Sequence, residues 1–188
     1  MKKVGIYGGS FNPVHVGHVE IIKYVMEKMH LDKLIVIPVG CPSHKENLLL
    51  EGKKRVELLK AACKDIDKVE VSDIEIKNKG VSYTYDTLLN LKEKYKDAIF
   101  YEIIGEDSAD YLYEWKDYEK MIKECQFVVL KRKGYDYRPE HENIIILESP
   151  LYDYSSTKIR ELIQNEKDIR DMVPEKVREI IIKEKLYR

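Results

Sequence analysis

Two histidines, His15 and His18, follow a pair of glycines in the run Gly8-Gly9-Ser10-Phe11-Asn12-Pro13-Val14-His15-Val16-Gly17-His18. At i and i+3 the two imidazoles share the first turn of a helix and can be aimed at one anion. Gly8 and Gly9 lack a Cβ, which predicts a turn with positive φ that lets the backbone approach that anion closely. The helix expected from Val16 adds its free N–H groups and the positive end of its dipole. Imidazoles held against a phosphate stabilise charge that develops in phosphoryl or nucleotidyl transfer, where catalysis is mostly positioning and electrostatics. The pair could also begin a zinc site, but no third ligand is evident. The segment is not a P-loop, because the Gly-Lys-Ser/Thr ending is missing, nor is it Gly-x-Gly-x-x-Gly.

Further segments could meet the same anion or its carrier. In Pro38-Val39-Gly40-Cys41-Pro42-Ser43-His44-Lys45 the side chains of His44 and Lys45 could reach the phosphates from the opposite side, or form a solvated loop beside the charged Lys53-Lys54-Arg55. The run Gly80 to Thr87 holds Ser82, Tyr83, Thr84 and Tyr85, hydroxyls that can cap a helix and aromatic faces for a flat ring. Gly105-Glu106-Asp107 sets a carboxylate at the end of an apolar run, and Trp115 follows on a short helical segment, as core or as a stacking face. In Tyr154-Ser155-Ser156-Thr157-Lys158-Ile159-Arg160, hydroxyls and free N–H groups gather at a helix start with Arg160 one turn in, a second anion-binding device.

Elements that would position these groups are visible as alternating patterns. Short apolar runs at Val4–Tyr7, Leu34–Pro38, Val69–Ser72, Ile99–Ile104, Phe127–Leu130 and Ile144–Leu147 read as strands. Between them, Val16–Met29, Lys53–Lys64 and Thr84–Tyr95 carry apolar stripes at helical spacing. Runs such as Leu34-Ile35-Val36-Ile37 show no alternation, as expected for strands covered on both faces. The predicted architecture is therefore α/β, a Rossmann-like doubly wound parallel sheet. Ligands in such sheets sit beyond the carboxyl ends of the strands at the switch point, where the first glycine loop would lie. From Ser155 the chain turns helical through Gln164, and Pro174-Glu175 opens a last helix bearing Val177, Ile180, Ile181 and Leu186; these are expected on the sheet's rim. One domain over 1–188, with a C-terminal helical part from about 155, accommodates all of this.

Composition narrows the class. Among 188 residues, 44% are apolar, enough for a substantial core, and 33 Lys+Arg against 34 Asp+Glu leave a net charge of −1. No global basic field favours nucleic acid and no polybasic anchor favours a membrane, so an anionic ligand must be held locally. Cys41, Cys63 and Cys125 are far apart and in no metal-like spacing, which suits reduced thiols. No apolar run approaches the ~20 residues that span a bilayer, and Met1-Lys2-Lys3 leads straight into a strand; a soluble, cytoplasmic protein is expected.

With these pieces in order the chain resembles the nucleotidyltransferase superfamily with the His-x-Gly-His motif, and within it the bacterial nicotinate mononucleotide adenylyltransferases. The superfamily hallmarks are Gly8 to Pro13 with His15-Val16-Gly17-His18, and Ser155 to Arg160. The narrower likeness comes from Pro42-Ser43-His44-Lys45, Ser82-Tyr83-Thr84-Tyr85-Asp86-Thr87-Leu88, Gly105-Glu106-Asp107 and Trp115. Asn12 stands where many members carry Asp, and Ser43 replaces a second Pro; neither touches the histidines.

The resemblance implies in-line attack of the 5′-phosphate of nicotinate mononucleotide on the α-phosphate of ATP, releasing pyrophosphate. It assigns His15, His18, Lys45 and Arg160 to catalysis, with Gly8, Gly9, Ser10, Phe11, Gly105, Asp107, Ser155, Ser156 and Thr157 joining the histidines and Arg160 around ATP. Asn12, His44, Lys45, Ser82, Tyr83, Thr84, Tyr85 and Trp115 would bind the nicotinate nucleotide. Trp115 would stack on the pyridine, and Thr84 and Tyr85 would offer N–H groups to its carboxylate. Mg²⁺ would be bound mainly through the triphosphate, with no metal held by the protein alone. Nicotinamide mononucleotide or 4′-phosphopantetheine as acceptor, and a non-catalytic nucleotide sensor, are the alternatives. A class I aminoacyl-tRNA synthetase fragment is disfavoured by the absence of a Lys-Met-Ser-Lys-Ser loop and of a basic face. The oligomeric state is left open, a homodimer included.

Overall fold

Apolar runs without alternation become the inner strands. In the computed structural model, which describes residues 1–40, 49–78, 80–132, 134–150 and 153–188, the elements follow one another as strand, helix, strand. They are β1 (Lys2–Gly9), α1 (Val16–Lys28), β2 (Lys33–Pro38), α2 (Gly52–Cys63), β3 (Val69–Val71), α3 (Ile74–Lys77), α4 (Thr84–Lys94) and β4 (Ala98–Gly105). After them come α5 (Glu106–Ala109), a 3₁₀ turn at Leu112–Glu114, α6 (Tyr118–Glu124), β5 (Gln126–Leu130), β6 (Ile144–Leu147), α7 (Ser156–Gln164) and α8 (Glu175–Lys183). The short helices α3, α5 and α6 were not among the elements expected from sequence periodicity. At four to seven residues they are too brief to show a stripe.

The six strands form one sheet in the order β3-β2-β1-β4-β5-β6, and every pair is parallel. The order reverses between β1 and β4, so the crevice beyond their carboxyl ends is the switch point. Alternate residues of these strands feed two cores. Tyr7, Leu34, Val36, Tyr101, Ile103 and Val128 face one layer, with Ile22 and Val25 of α1 and Leu58 and Leu59 of α2. Ile6, Ile35, Ile37, Phe100, Phe127 and Val129 face the other, under Leu88 and Leu91 of α4 and Met121 and Ile122 of α6.

The C-terminal helices are not confined to the rim. Ile159 and Ile163 of α7 and Val177 and Ile181 of α8 join the first core beside α1 and α2. Side chains this deeply buried each contribute roughly 1.5–3 kcal/mol, so the last helices are part of what holds α1 and the sheet together. Cys63 and Cys125 are buried free thiols, and burial pushes the Cys63 thiol up to about 11, which leaves it unreactive. Cys41 lies outside the described residues, as do Ser43, His44 and Lys45. Among the described residues no helix is long and apolar enough to cross a membrane.

Candidate active site

β1 delivers the chain to the switch point, but not through a glycine turn. Gly8 and Gly9 are still in the strand, paired with Ile37 and Pro38 of β2, and neither takes positive φ. The turn falls two residues later: Phe11 adopts φ 45, followed by a cis Asn12–Pro13 peptide. A non-glycine residue tolerates that conformation when its surroundings hold it there. Phe11 is fully buried, edge-on to Tyr7 and to His18, with ring centroids 5.5 and 4.9 Å apart. The glycines matter for space. A Cβ on Gly9 would lie 3.0 Å from the Phe11 ring, whereas one on Gly8 would meet nothing within 4 Å among the described residues.

His15 is the N-cap of α1 and His18 its third residue, so they lock each other. The His18 N–H donates to His15 Nδ1 at 3.3 Å, and the His15 N–H donates to His18 Nδ1 at 3.2 Å. This is a capping box made from two imidazoles where Ser and Glu are usual. The rings stack with centroids 3.6 Å apart. Because each Nδ1 accepts, each neutral ring carries its proton on Nε2. Gly17 makes this arrangement possible: a Cβ there would lie 3.1 Å from His15 Nδ1 and 3.2 Å from the Tyr154 ring. Burial, then the charge of Arg132, lowers His15 to about 4. His18 is pushed well below its usual value by burial, then by His15 and Arg132. At neutral pH the pair is therefore two uncharged Nε2–H donors.

Two of the N–H groups expected to be free at the start of α1 are taken by the protein itself. The Val16 N–H donates to Met172 O at 2.9 Å and the His18 N–H is taken by His15, so the imidazoles stand beside a turn that keeps the Gly17 N–H.

α7 approaches from the other side, and Ser155 caps it as expected, its hydroxyl accepting from the Lys158 N–H. Ser156 Oγ donates to Pro13 O at 2.9 Å, and Arg160 donates to Asn12 O at 2.7 Å and to Thr157 Oγ1 at 3.3 Å. Thus the head of α7 is tied to the turn that carries the histidines. Asn12 is buried, and its Oδ1 accepts from the Leu50 N–H at 3.1 Å. Arg55, in the charged stretch Lys53-Lys54-Arg55, is 2% exposed and donates to the carbonyls of Leu50, Ser10 and Val39 at 2.9, 2.8 and 2.7 Å. One buried guanidinium thereby gathers the tips of β1 and β2; its place in α2, with Val56 and Leu59 on neighbouring positions, was the only hint.

On β4's tip, Glu106 turns inward, its carboxylate accepting from the Arg132 and Tyr137 N–H groups at 2.7 and 2.9 Å. Asp107 stays at the crevice and pairs with the Arg132 side chain at 3.2 Å. Arg132 was missed in the sequence. The available signal was a cation directly after β5, at the carboxyl end of the strand next to β4.

The Ser82 to Thr87 segment departs from expectation in one respect. α4 is capped by Tyr83 with no side-chain hydrogen bond, Thr84 is its first helical residue, and Asp86 pairs instead with Lys116 at 3.2 Å. The Tyr85 ring belongs to the core and is not a free aromatic face, while Lys116 lies 4.2 Å over the Tyr83 ring. Ser82 Oγ is buried without a partner among the described residues. Trp115 ends the 3₁₀ turn, half-buried and edge-on to Phe127 with centroids 6.3 Å apart.

A parallel sheet ordered 3-2-1-4-5-6, with a histidine pair at the head of α1 beyond the switch point, defines a nucleotidyltransferase. Comparison with known proteins agrees: a family model described as cytidylyltransferase-like matches residues 6–162. A protein of Fusobacterium nucleatum described as "Probable nicotinate-nucleotide adenylyltransferase" is 50% identical over 97% of this chain and 98% of its own. One of Clostridium novyi with the same description is 40% identical over 100% of both. The chain belongs to the cytidylyltransferase-like nucleotidyltransferases and, within them, to the nicotinate-nucleotide adenylyltransferase family. The fold is shared with the nicotinic acid mononucleotide adenylyltransferase of Plasmodium falciparum complexed with NaAD, at a TM-score of 0.84 and 23% identity over 100% of this chain and 98% of that one.

Proposed function

We propose that the chain transfers the adenylyl group of ATP to the 5′-phosphate of nicotinate mononucleotide, giving nicotinate adenine dinucleotide and pyrophosphate. The observation that carries the mechanism is the reciprocal lock between His15 and His18, which orients two neutral donors at the switch point. A phosphate oxygen of the acceptor attacks the α-phosphorus in line, and the bond to the bridging oxygen of pyrophosphate breaks. No covalent enzyme intermediate is needed, since the acceptor is itself a competent nucleophile at neutral pH.

The two Nε2–H groups donate to oxygens of the ATP phosphates, where negative charge redistributes in the transition state. Preorganised donors in a buried setting cost no reorganisation at that moment. Arg160, held by Asn12 O, supplies positive charge across the crevice, and the N–H groups of Ser156 and Thr157 receive the β- and γ-phosphates. Arg132 adds a cation by the histidines, and Asp107 is placed for the ribose or adenine. Gly8 leaves room for the nucleotide, and Gly9, Ser10, Phe11, Gly105 and Ser155 complete its surroundings. Lys45 and His44 are assigned to the acceptor phosphate, outside the described residues.

The uncapped head of α4 is assigned to the acceptor's carboxylate through the N–H groups of Thr84 and Tyr85. Trp115 stacks on the pyridine, with Asn12, Ser82 and Tyr83 around it. Among the described residues no three His, Cys, Asp or Glu side chains converge on a possible metal position. The Mg²⁺ expected in such a reaction would enter on the triphosphate. One catalytic unit over 1–188, working in the cytoplasm without nucleic acid or membrane, fits this assignment.

The test is pyrophosphate release with MgATP and nicotinate mononucleotide, nicotinamide mononucleotide or 4′-phosphopantetheine at matched concentrations. The first should be strongly preferred. Preference for either of the others would overturn the acceptor assignment, and absence of turnover with all three would leave a nucleotide-binding sensor.

A further inference from the structure

Glu75 has no role in any motif of the sequence, yet its carboxylate joins two elements of the site. It projects from α3, and Oε2 accepts the Gly40 N–H at 3.3 Å while Oε1 accepts the Thr87 hydroxyl at 2.9 Å. Gly40 lies just beyond the tip of β2; Thr87 lies one turn into α4 and is 3% exposed. The backbones are in contact as well: a Cβ on Gly40 would fall 2.2 Å from Glu75 O and 2.9 Å from the buried Ser82 Oγ. The next residue, Ile76, fills the space that a Cβ on Gly52, the first residue of α2, would need. α3 is therefore wedged between β2, α2 and α4.

This wedge bears on the chemistry through α4. The first turn of that helix has no capping side chain, so its position is not set by a local cap. Thr87 is the residue whose N–H closes that turn on Tyr83 O, and the Glu75 bridge holds it from outside. Burial raises the Glu75 carboxyl, and the bonds from Thr87 and Gly40 offset part of that rise. Those two bonds are therefore part of what holds a carboxylate in a buried setting.

We propose that Glu75 is a positioning residue for the acceptor nucleotide: by bridging the Gly40 N–H and the Thr87 hydroxyl, it sets the head of α4 against the tip of β2, where the transferred group arrives. It rests on the assignment of the α4 N–H groups to the acceptor's carboxylate. Small misplacements of a binding group are costly when reacting atoms must be held in line.

The experiment measures kcat and both KM values for the unmodified protein, Glu75→Ala, Glu75→Gln and Thr87→Val. Glu75→Ala should raise KM for nicotinate mononucleotide by about tenfold and change KM for ATP by no more than about twofold. Glu75→Gln should recover most of the loss, because its carbonyl accepts from Gly40 while its amide donates to Thr87. Thr87→Val, which removes one arm and keeps the shape, should raise the acceptor KM by roughly threefold and decides the question if Glu75→Ala does not fold. Parallel rises in both KM values, no change in either, or a Gln variant as impaired as Ala would overturn the positioning role. Absence of turnover with nicotinate mononucleotide in the unmodified protein would instead overturn the function on which it rests.

Discussion

The imidazoles of His15 and His18 cap the same helix for each other, each Nδ1 accepting the other residue's backbone N–H with the rings 3.6 Å apart. One structural device thus fixes the tautomer of both rings and keeps both Nε2–H groups out of the cap. The cap uses Nδ1 and the proposed chemistry uses Nε2, which makes the two separable by substitution.

His15→Asn should separate them. Asparagine is a good N-cap, so the start of α1 is kept and the melting temperature should stay within about 2–4 °C of the parent. The Nε2–H donor is lost, and kcat should fall by about 10² with little change in KM for ATP. Steady-state kinetics beside a thermal melt would check this; a purely KM effect would remove the transition-state role. His18→Ala should show a similar fall in kcat together with a loss of stability, because the reciprocal cap goes too.

Gly8→Ala should affect ligand and not fold. An added Cβ meets nothing within 4 Å among the described residues, so stability should hold or rise slightly. The methyl group would occupy space assigned to the nucleotide, and KM for ATP should rise about tenfold. Gly9→Ala should behave in the opposite way, losing stability against the Phe11 ring 3.0 Å away. Isothermal titration with a nonhydrolysable ATP analogue and thermal melts of both variants give the comparison.

The histidines should also write themselves into the pH dependence of stability. The folded value of His15 is depressed from 6.5 to about 4, so between these limits the unfolded chain binds the proton and the folded one does not. Stability from this group is complete above pH 6.5 and is lost as pH falls toward 4, a change on the order of 3 kcal/mol. Glu102 and Glu75 act in the opposite sense, since burial raises both carboxyls and favours the folded state as pH falls. The useful measurement is therefore the slope of unfolding free energy against pH in the parent and in His15→Asn. The variant should lose less stability on acidification, and identical slopes would contradict the depressed value. Added ATP should flatten the parent's slope, because phosphates favour the protonated imidazoles.

Trp115→Ala tests the acceptor side. It should weaken nicotinate mononucleotide selectively, raising its KM about tenfold with KM for ATP unchanged. Loss of the edge contact with Phe127 should lower stability by roughly 1 kcal/mol, which a denaturant titration would register. Equal weakening of ATP would count against stacking on the pyridine.

Much of this molecule is legible locally. Leu34-Ile35-Val36-Ile37 announces a strand buried on both faces without reference to anything else in the chain, and it is β2. Ser155 ahead of an amphipathic stretch announces the start of α7. The His-x-Gly-His spacing announces that the two rings meet, because an N-cap residue and the third residue of its helix face each other. These signals depend on neighbours within a few residues, and hydrophobic period and capping chemistry are properties of such neighbours.

What the tertiary structure decided are contacts between residues far apart in the chain. The positive φ went to Phe11 and not to the glycines, because Tyr7 and His18 close around the Phe11 ring. Arg55 reads as one more charged residue of its stretch until the carbonyls of Ser10 and Val39, just beyond the ends of β1 and β2, are brought to it. The charge of Arg132 is felt by the histidines because β5, which it follows, lies beside β4. The carboxylate of Glu75 finds Gly40 and Thr87 only once α3 is wedged between β2 and α4. A side chain's type and its near neighbours set which secondary structure it enters and what chemistry it can do. Which polar partner it meets, and therefore what it does here, is settled by how the layers pack, since a buried polar group must take its partners from whatever the fold brings within hydrogen-bond reach.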